Sequence, residues 1–173
     1  MRSILILIAF FFIVIVSEHF RSQRTVYSFS SDQEDLVSLS KEDITPVHLT
    51  LSQLMAVDVK SARLEGGKWP LSENKAVFLE NSAYPGGNGN IVIYAHNWPD
   101  LFGELKHAKE GQVITLVTKN GYEWKYQIHL ITEVDASQTT WVQPTETEIL
   151  TLYTCSGIFD RQRLIIQAIP IFK

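Results

Sequence analysis

The sequence predicts an all-β domain of about eight short strands with few helices, an antiparallel barrel or sandwich. Three observations point there. Turn signals recur about every 10 to 20 residues from Pro46 onward. The stretches between them are short and rich in β-branched and aromatic side chains. No self-similarity at the period of a helical solenoid or a propeller interrupts the pattern. A chain of 173 residues suits one such domain and can bury a core without disulfides or a structural metal. Its 19 acids outweigh 15 bases, and no basic stripe is present, which argues against a nucleic-acid partner. Cys155 is the single cysteine, so an internal disulfide and a Cys-cluster zinc site are both excluded.

The chain opens on an unbroken apolar run from Ile4 to Val16. This is shorter than the roughly 20 residues of a typical membrane span. No small-x-small cleavage pattern follows, because the next residues are Ser17, Glu18, His19 and Phe20. Phe20 and the polar flanks extend the run into a tilted span. Residues 1–20 are therefore expected to be a membrane helix acting as a signal-anchor. Arg2 before the run is balanced by Arg21 and Arg24 after it, so charge alone does not set orientation. Residues 21–45 mix serines with Asp32, Glu34, Asp35, Glu42 and Asp43 and read as a polar linker. The folded domain is expected over residues 46–173.

Within it, Val47–Leu51 and Ala56–Val59 are the first two strands, and the Leu64-Glu65-Gly66-Gly67-Lys68-Trp69-Pro70 stretch is a turn region. Ala76–Glu80 is a short strand. Pro85-Gly86-Gly87-Asn88-Gly89-Asn90 is a loop, since glycine reaches positive φ at little cost. Ile91–Ala95 is continuously apolar and reads as a buried strand. A helical turn is expected over Asp100–Lys106. Gly111–Thr118 and Tyr122–Thr132 flank Asn120-Gly121, a hairpin signal. Glu148–Cys155 and Arg163–Ile169 are the last two strands.

Chemistry concentrates at the strand ends. Cys155 closes one strand and Arg163 opens the next, so a connecting loop sets them side by side. His96 ends the Ile91–Ala95 strand, exposed enough to titrate and rigid enough to aim. A thiol is mostly protonated at neutral pH, and a nearby base or cation raises its thiolate fraction. Imidazole can take the proton and return it to a leaving amine. A guanidinium stays charged and can hydrogen-bond a developing oxyanion or hold the substrate backbone. The trio suits acyl transfer through a thioester. The spacing alone also allows an inert buried cysteine.

At these residues the sequence resembles the sortases, cysteine transpeptidases of bacterial cell surfaces. Thr151-Leu152-Tyr153-Thr154-Cys155 matches the family's TLxTC motif, Arg163-Leu164-Ile165-Ile166 its arginine and apolar run. The stretch from Pro85 through Asn90 and Ile91 to His96 matches the approach to its histidine. Further likeness runs through Phe102-Gly103-Glu104-Leu105 and Gly111-Gln112-Val113-Ile114. The resemblance implies a closed eight-stranded β-barrel behind an N-terminal membrane helix, in the bacterial membrane, with the catalytic domain outside. It implies cleavage of a C-terminal, LPxTG-like sorting signal and transfer of the acyl part to an amine of peptidoglycan precursor or a pilin. Partners would be signal-bearing surface proteins or pilins. Carried over, Cys155 is the nucleophile, His96 the general acid/base and Arg163 the oxyanion or substrate stabiliser, with Thr154 beside the substrate.

Trp98, close after His96, is a candidate for lining the substrate groove. No cofactor or metal is expected. Asp100, Glu104 and Glu110 read as solvated acids, although some members bind calcium. Many members have glycine where this chain has Ala95. Arg161 is a rival to Arg163 but lacks the apolar run behind it. Glu80 and Asp135 are possible orienters of His96, and neither is assigned. His48, His107 and His129 read as surface or core residues.

Two other classes compete with this reading. A papain-like cysteine hydrolase commonly sets its cysteine at a helix N-terminus, whereas Cys155 ends a β pattern. A non-enzymatic anchored β-domain would leave Cys155 inert. Outside the cell, where cysteines usually pair, a lone thiol is hard to explain by packing alone.

Overall fold

A computed structural model describes residues 40–64, 66 and 69–171. The expected membrane helix and most of the linker lie outside these residues. The strands, in chain order, are β1 (Pro46–Leu51), β2 (Met55–Ala62), β3 (Ala76–Leu79), β4 (Asn90–Ala95), β5 (Val113–Thr118), β6 (Glu123–Asp135), β7 (Ile149–Ser156) and β8 (Gln162–Pro170). Short 3-10 turns lie at Gly103–His107, Thr140–Val142 and Ile158–Asp160. The strands close into a barrel in the order β1-β2-β3-β4-β7-β8-β6-β5, with β5 pairing back onto β1.

Most neighbours are antiparallel, as the turn signals lead one to expect. The pairs β2–β3 and β4–β7 are parallel, which the sequence reading did not anticipate. A parallel neighbour needs a crossover of roughly a dozen residues or more. Residues 63–75 form one such crossover, and β5 with β6 forms the other. The predicted Asn-Gly hairpin is present between β5 and β6. Gly121 takes φ 82°, and the Thr118 amide donates to Tyr122 O at 3.0 Å.

Every residue of β4 is buried. Ile91, Ile93 and Ala95 face the main core inside the barrel. Val92 and Tyr94 join an outer cluster with Val77 and Leu79, covered by Trp69, Val142 and Tyr153. Burial on both faces explains why this strand is continuously apolar rather than alternating. Buried Asn90 donates to the carbonyls of Trp141 and Gln143 at 2.9 and 3.0 Å, which pins the β6–β7 connection. Phe78, Ile93, Leu152 and Ile166 are fully buried. Each such side chain contributes about 1.5–3 kcal/mol. The exposed pairs His48–Asp58 and Arg63–Glu80 contribute at most about 1 kcal/mol each. Packing, rather than charge, holds the barrel.

Candidate active site

The three residues singled out from the sequence stand at the ends of the neighbouring strands β4, β7 and β8. Parallel register sets Ala95 beside Thr154, so the chain leaves β4 at His96 level with Cys155. Antiparallel register sets Cys155 beside Arg163. Strand parity then decides the face. Leu150 and Leu152 on β7, and Leu164 and Ile166 on β8, point into the main core. Tyr153, Cys155 and Arg163 therefore lie on the outer face. His96 follows Ala95 directly, at the exit of β4. His96, Cys155 and Arg163 are each half-buried, and Cys155 is a free thiol.

His96 is held by its own loop. Its ring stacks on Trp98, with centroids 4.3 Å apart and planes 8° from parallel. The Phe102 amide donates to His96 O at 3.1 Å, and the Leu101 and Gly103 amides donate to Trp98 O at 2.9 and 2.8 Å. A Cβ on Gly103 would lie 2.7 Å from that Trp98 carbonyl oxygen, so the turn closes this tightly only around glycine. This gives a physical reason for the Phe102-Gly103 pair noted in the sequence. Trp98 itself is 46% exposed and flanks the site.

Thr154 is 2% exposed, and its hydroxyl donates to Ala95 O at 2.8 Å. It ties β4 to β7 at the positions just before His96 and Cys155. Arg163 donates through Nε to Tyr153 Oη at 3.1 Å. Its Nη1 donates to the carbonyls of Asp160 and Gln162 at 2.6 and 2.8 Å. Arg161 is exposed in the β7–β8 loop, where its carbonyl accepts from the Ala136 amide. At the tip of that loop, Ile158 and Phe159 are 79% and 89% exposed, and Phe159 and Asp160 take left-handed φ of 56° and 55°.

Among the described residues, no carboxylate hydrogen-bonds His96. Glu80 pairs with Arg63 at 3.0 Å. Asp135 accepts from the Ser137 hydroxyl and amide at 2.6 and 2.9 Å, which holds its carboxyl below the usual range, with a smaller pull from Arg163. His48 meets Asp58, and His107 and His129 are exposed. Asp100 and Glu110 are exposed, and Glu104 is half-buried.

The sequence reading passed over the aromatic group beside Arg163. Trp69 stacks on Tyr153 at 5.7 Å and meets Tyr94 edge-on at 4.7 Å. Strand parity held the signal, because Tyr153 shares a face with Cys155 two residues on. The contact of Trp69 with both tyrosines depends on the β2–β3 crossover and leaves no local trace.

A closed barrel thus carries Cys155 and Arg163 as register partners on adjoining strands, with His96 at the exit of the neighbouring β4. The chain belongs to the sortase family: the Sortase domain model matches residues 53–171. Among solved structures it is similar to a lid mutant of sortase A from Corynebacterium diphtheriae, at 24% identity and TM-score 0.62, covering 74% of this chain and 72% of that one. It is similar to Streptococcus pneumoniae sortase C at 22% identity and TM-score 0.63, covering 75% and 70%. A Clostridium perfringens sortase D5 transpeptidase matches at 21% identity and TM-score 0.62, covering 73% and 79%. No curated protein sequence matches the chain.

Proposed function

We propose that this chain is a membrane-anchored cysteine transpeptidase that cleaves an LPxTG-like sorting signal and passes the acyl part to an amine. The observation that carries the reading is the register across β4, β7 and β8, which sets Cys155 beside Arg163 and level with the exit to His96. In the first half-reaction, His96 takes the Cys155 proton and the thiolate attacks the scissile carbonyl carbon. Arg163 hydrogen-bonds the oxyanion that forms. The C–N bond breaks, the leaving amine takes the proton from His96, and a thioester remains. In the second half-reaction the acceptor amine attacks that thioester. Its proton passes through His96 to the departing sulfur, so atoms and charges balance without a cofactor. Trp98 flanks the peptide, and Thr154 keeps the two strands in step. Acceptors are an amine of cell-wall precursor or a pilin lysine, and donors are signal-bearing surface proteins or pilins.

Residues 1–20 serve as the single-pass anchor, with the barrel outside the cell. Fractionation of the producing bacterium checks this part, since recovery of the chain in the soluble fraction would overturn it.

For the chemistry, the full-length chain in detergent is incubated with a library of sorting-signal peptides and an amine such as triglycine. Mass spectrometry should find an acyl adduct on Cys155 and a ligated product. Cys155→Ala should abolish both. Transfer that survives in Cys155→Ala would exclude the thioester route. A thiol that resists alkylation across pH, with no adduct, would favour a binding domain.

A further inference from the structure

We infer that Tyr153 is a positioning residue for Arg163, fixing its guanidinium so that one nitrogen alone faces the substrate oxygen. This rests on the proposed role of Arg163 and adds a residue to it. A guanidinium has five N–H donors in a planar fork. In this structure Nη1 donates to the carbonyls of Asp160 and Gln162, and Nε donates to the Tyr153 hydroxyl at 3.1 Å. Among the described residues no acceptor is paired with Nη2. Its two N–H groups are what remain for an oxyanion.

The carbonyls alone hold the Nη1 side. Asp160 sits on the exposed β7–β8 loop, in its left-handed turn at Phe159 and Asp160, and Gln162 is the first residue of β8. Tyr153 holds the opposite edge from inside a strand. It is the one side chain, among the described residues, that hydrogen-bonds this guanidinium, and Arg163 Cζ lies 5.9 Å from its ring centroid. The tyrosine is itself clamped. Trp69 stacks on it with planes 11° from parallel, and Tyr94, its register partner on β4, donates to the Pro70 carbonyl of the Trp69 segment. A rigid ring with a fixed hydroxyl therefore sets the tilt of the fork. Phenylalanine would keep the ring contacts and release the fork to turn.

The test uses the full-length chain in detergent and reads two quantities. The first is the Arg163 Nε–H resonance, assigned by its disappearance in Arg163→Lys. The second is turnover of a fluorogenic LPxTG peptide. In Tyr153→Phe the Nε–H signal should move and exchange faster with water, while the backbone amide map is otherwise retained. Turnover should fall about three- to tenfold in kcat with little change in KM, the size of one lost positioning hydrogen bond. Adding Tyr153→Phe to Arg163→Lys should cost nothing further, because the two act as one unit. An unchanged Nε–H signal in Tyr153→Phe, or losses that multiply in the double variant, would overturn the inference while Arg163 keeps its role. Full turnover in Arg163→Lys would instead overturn the role of the arginine, and with it any catalytic use of Tyr153.

Discussion

At the scale of single residues, Thr154 shows how one buried hydroxyl can tie two strands just before His96 and Cys155. Its bond to Ala95 O joins two strands of parallel register, a pairing slightly weaker per residue than an antiparallel one. Both residues are buried, so removing the hydroxyl withdraws a partner that water cannot replace. Thr154→Val keeps the shape and removes the donor, and it should destabilise the barrel by about 1–3 kcal/mol. Urea unfolding monitored by circular dichroism measures this. Thr154→Ser should recover much of the loss. A valine variant as stable as the parent would show that the tie carries no weight. The neighbouring motif positions divide their work by parity. Leu150 and Leu152 fill the core, whereas Tyr153 and Cys155 face outward. A five-residue signature thus records two faces of one strand.

At the scale of elements, much was legible because strand signals are local. The β-branched run Ile91–Ala95 is β4, and the Asn-Gly pair makes the β5–β6 turn. The Cys155–Arg163 pairing followed from a short loop between adjacent strands, and β7 and β8 have that register. The helical turn expected over Asp100–Lys106 is a 3-10 turn at Gly103–His107, shifted by the hydrogen bonds that fold the chain back onto Trp98. The illegible parts are long-range. The β2–β3 and β4–β7 pairs are parallel because their connections are long, and nothing within a strand records its neighbour's direction. β6 runs to Asp135, past the expected end at Thr132, because β8 pairs along its whole length. The short turns at Thr140–Val142 and Ile158–Asp160 were also missed, since neither carries a repeating apolar pattern. The grouping of Trp69 with Tyr94 and Tyr153 belongs to the same class, a contact made across the crossover.

At the scale of the whole molecule, buried tyrosines set a limit on stability in alkali. Burial pushes the Tyr94 phenol up to about 12. Burial together with the Glu148 carboxylate, which accepts the Tyr126 hydroxyl at 2.7 Å, pushes Tyr126 up as well. In the unfolded chain a tyrosine loses its proton near pH ~10. A folded pKa above the unfolded one means that the contribution is intact below about pH 10 and is lost as pH rises towards 12. Melting temperature should therefore fall steeply above that point. Tyr94→Phe should start lower at neutral pH, having lost the bond to Pro70 O, yet decline less steeply in alkali. Equal slopes for the two proteins would show that Tyr94 does not titrate with unfolding. One further consequence follows from the strand order. β7 and β8 lie between β4 and β6, so the sheet has a gap until the final hairpin is made. Folding must wait for contacts of long sequence separation, which form slowly. During synthesis the β7–β8 hairpin, which carries Cys155 and Arg163, enters the sheet last, so barrel closure and the pairing of these two residues are one event, and an incomplete chain has neither.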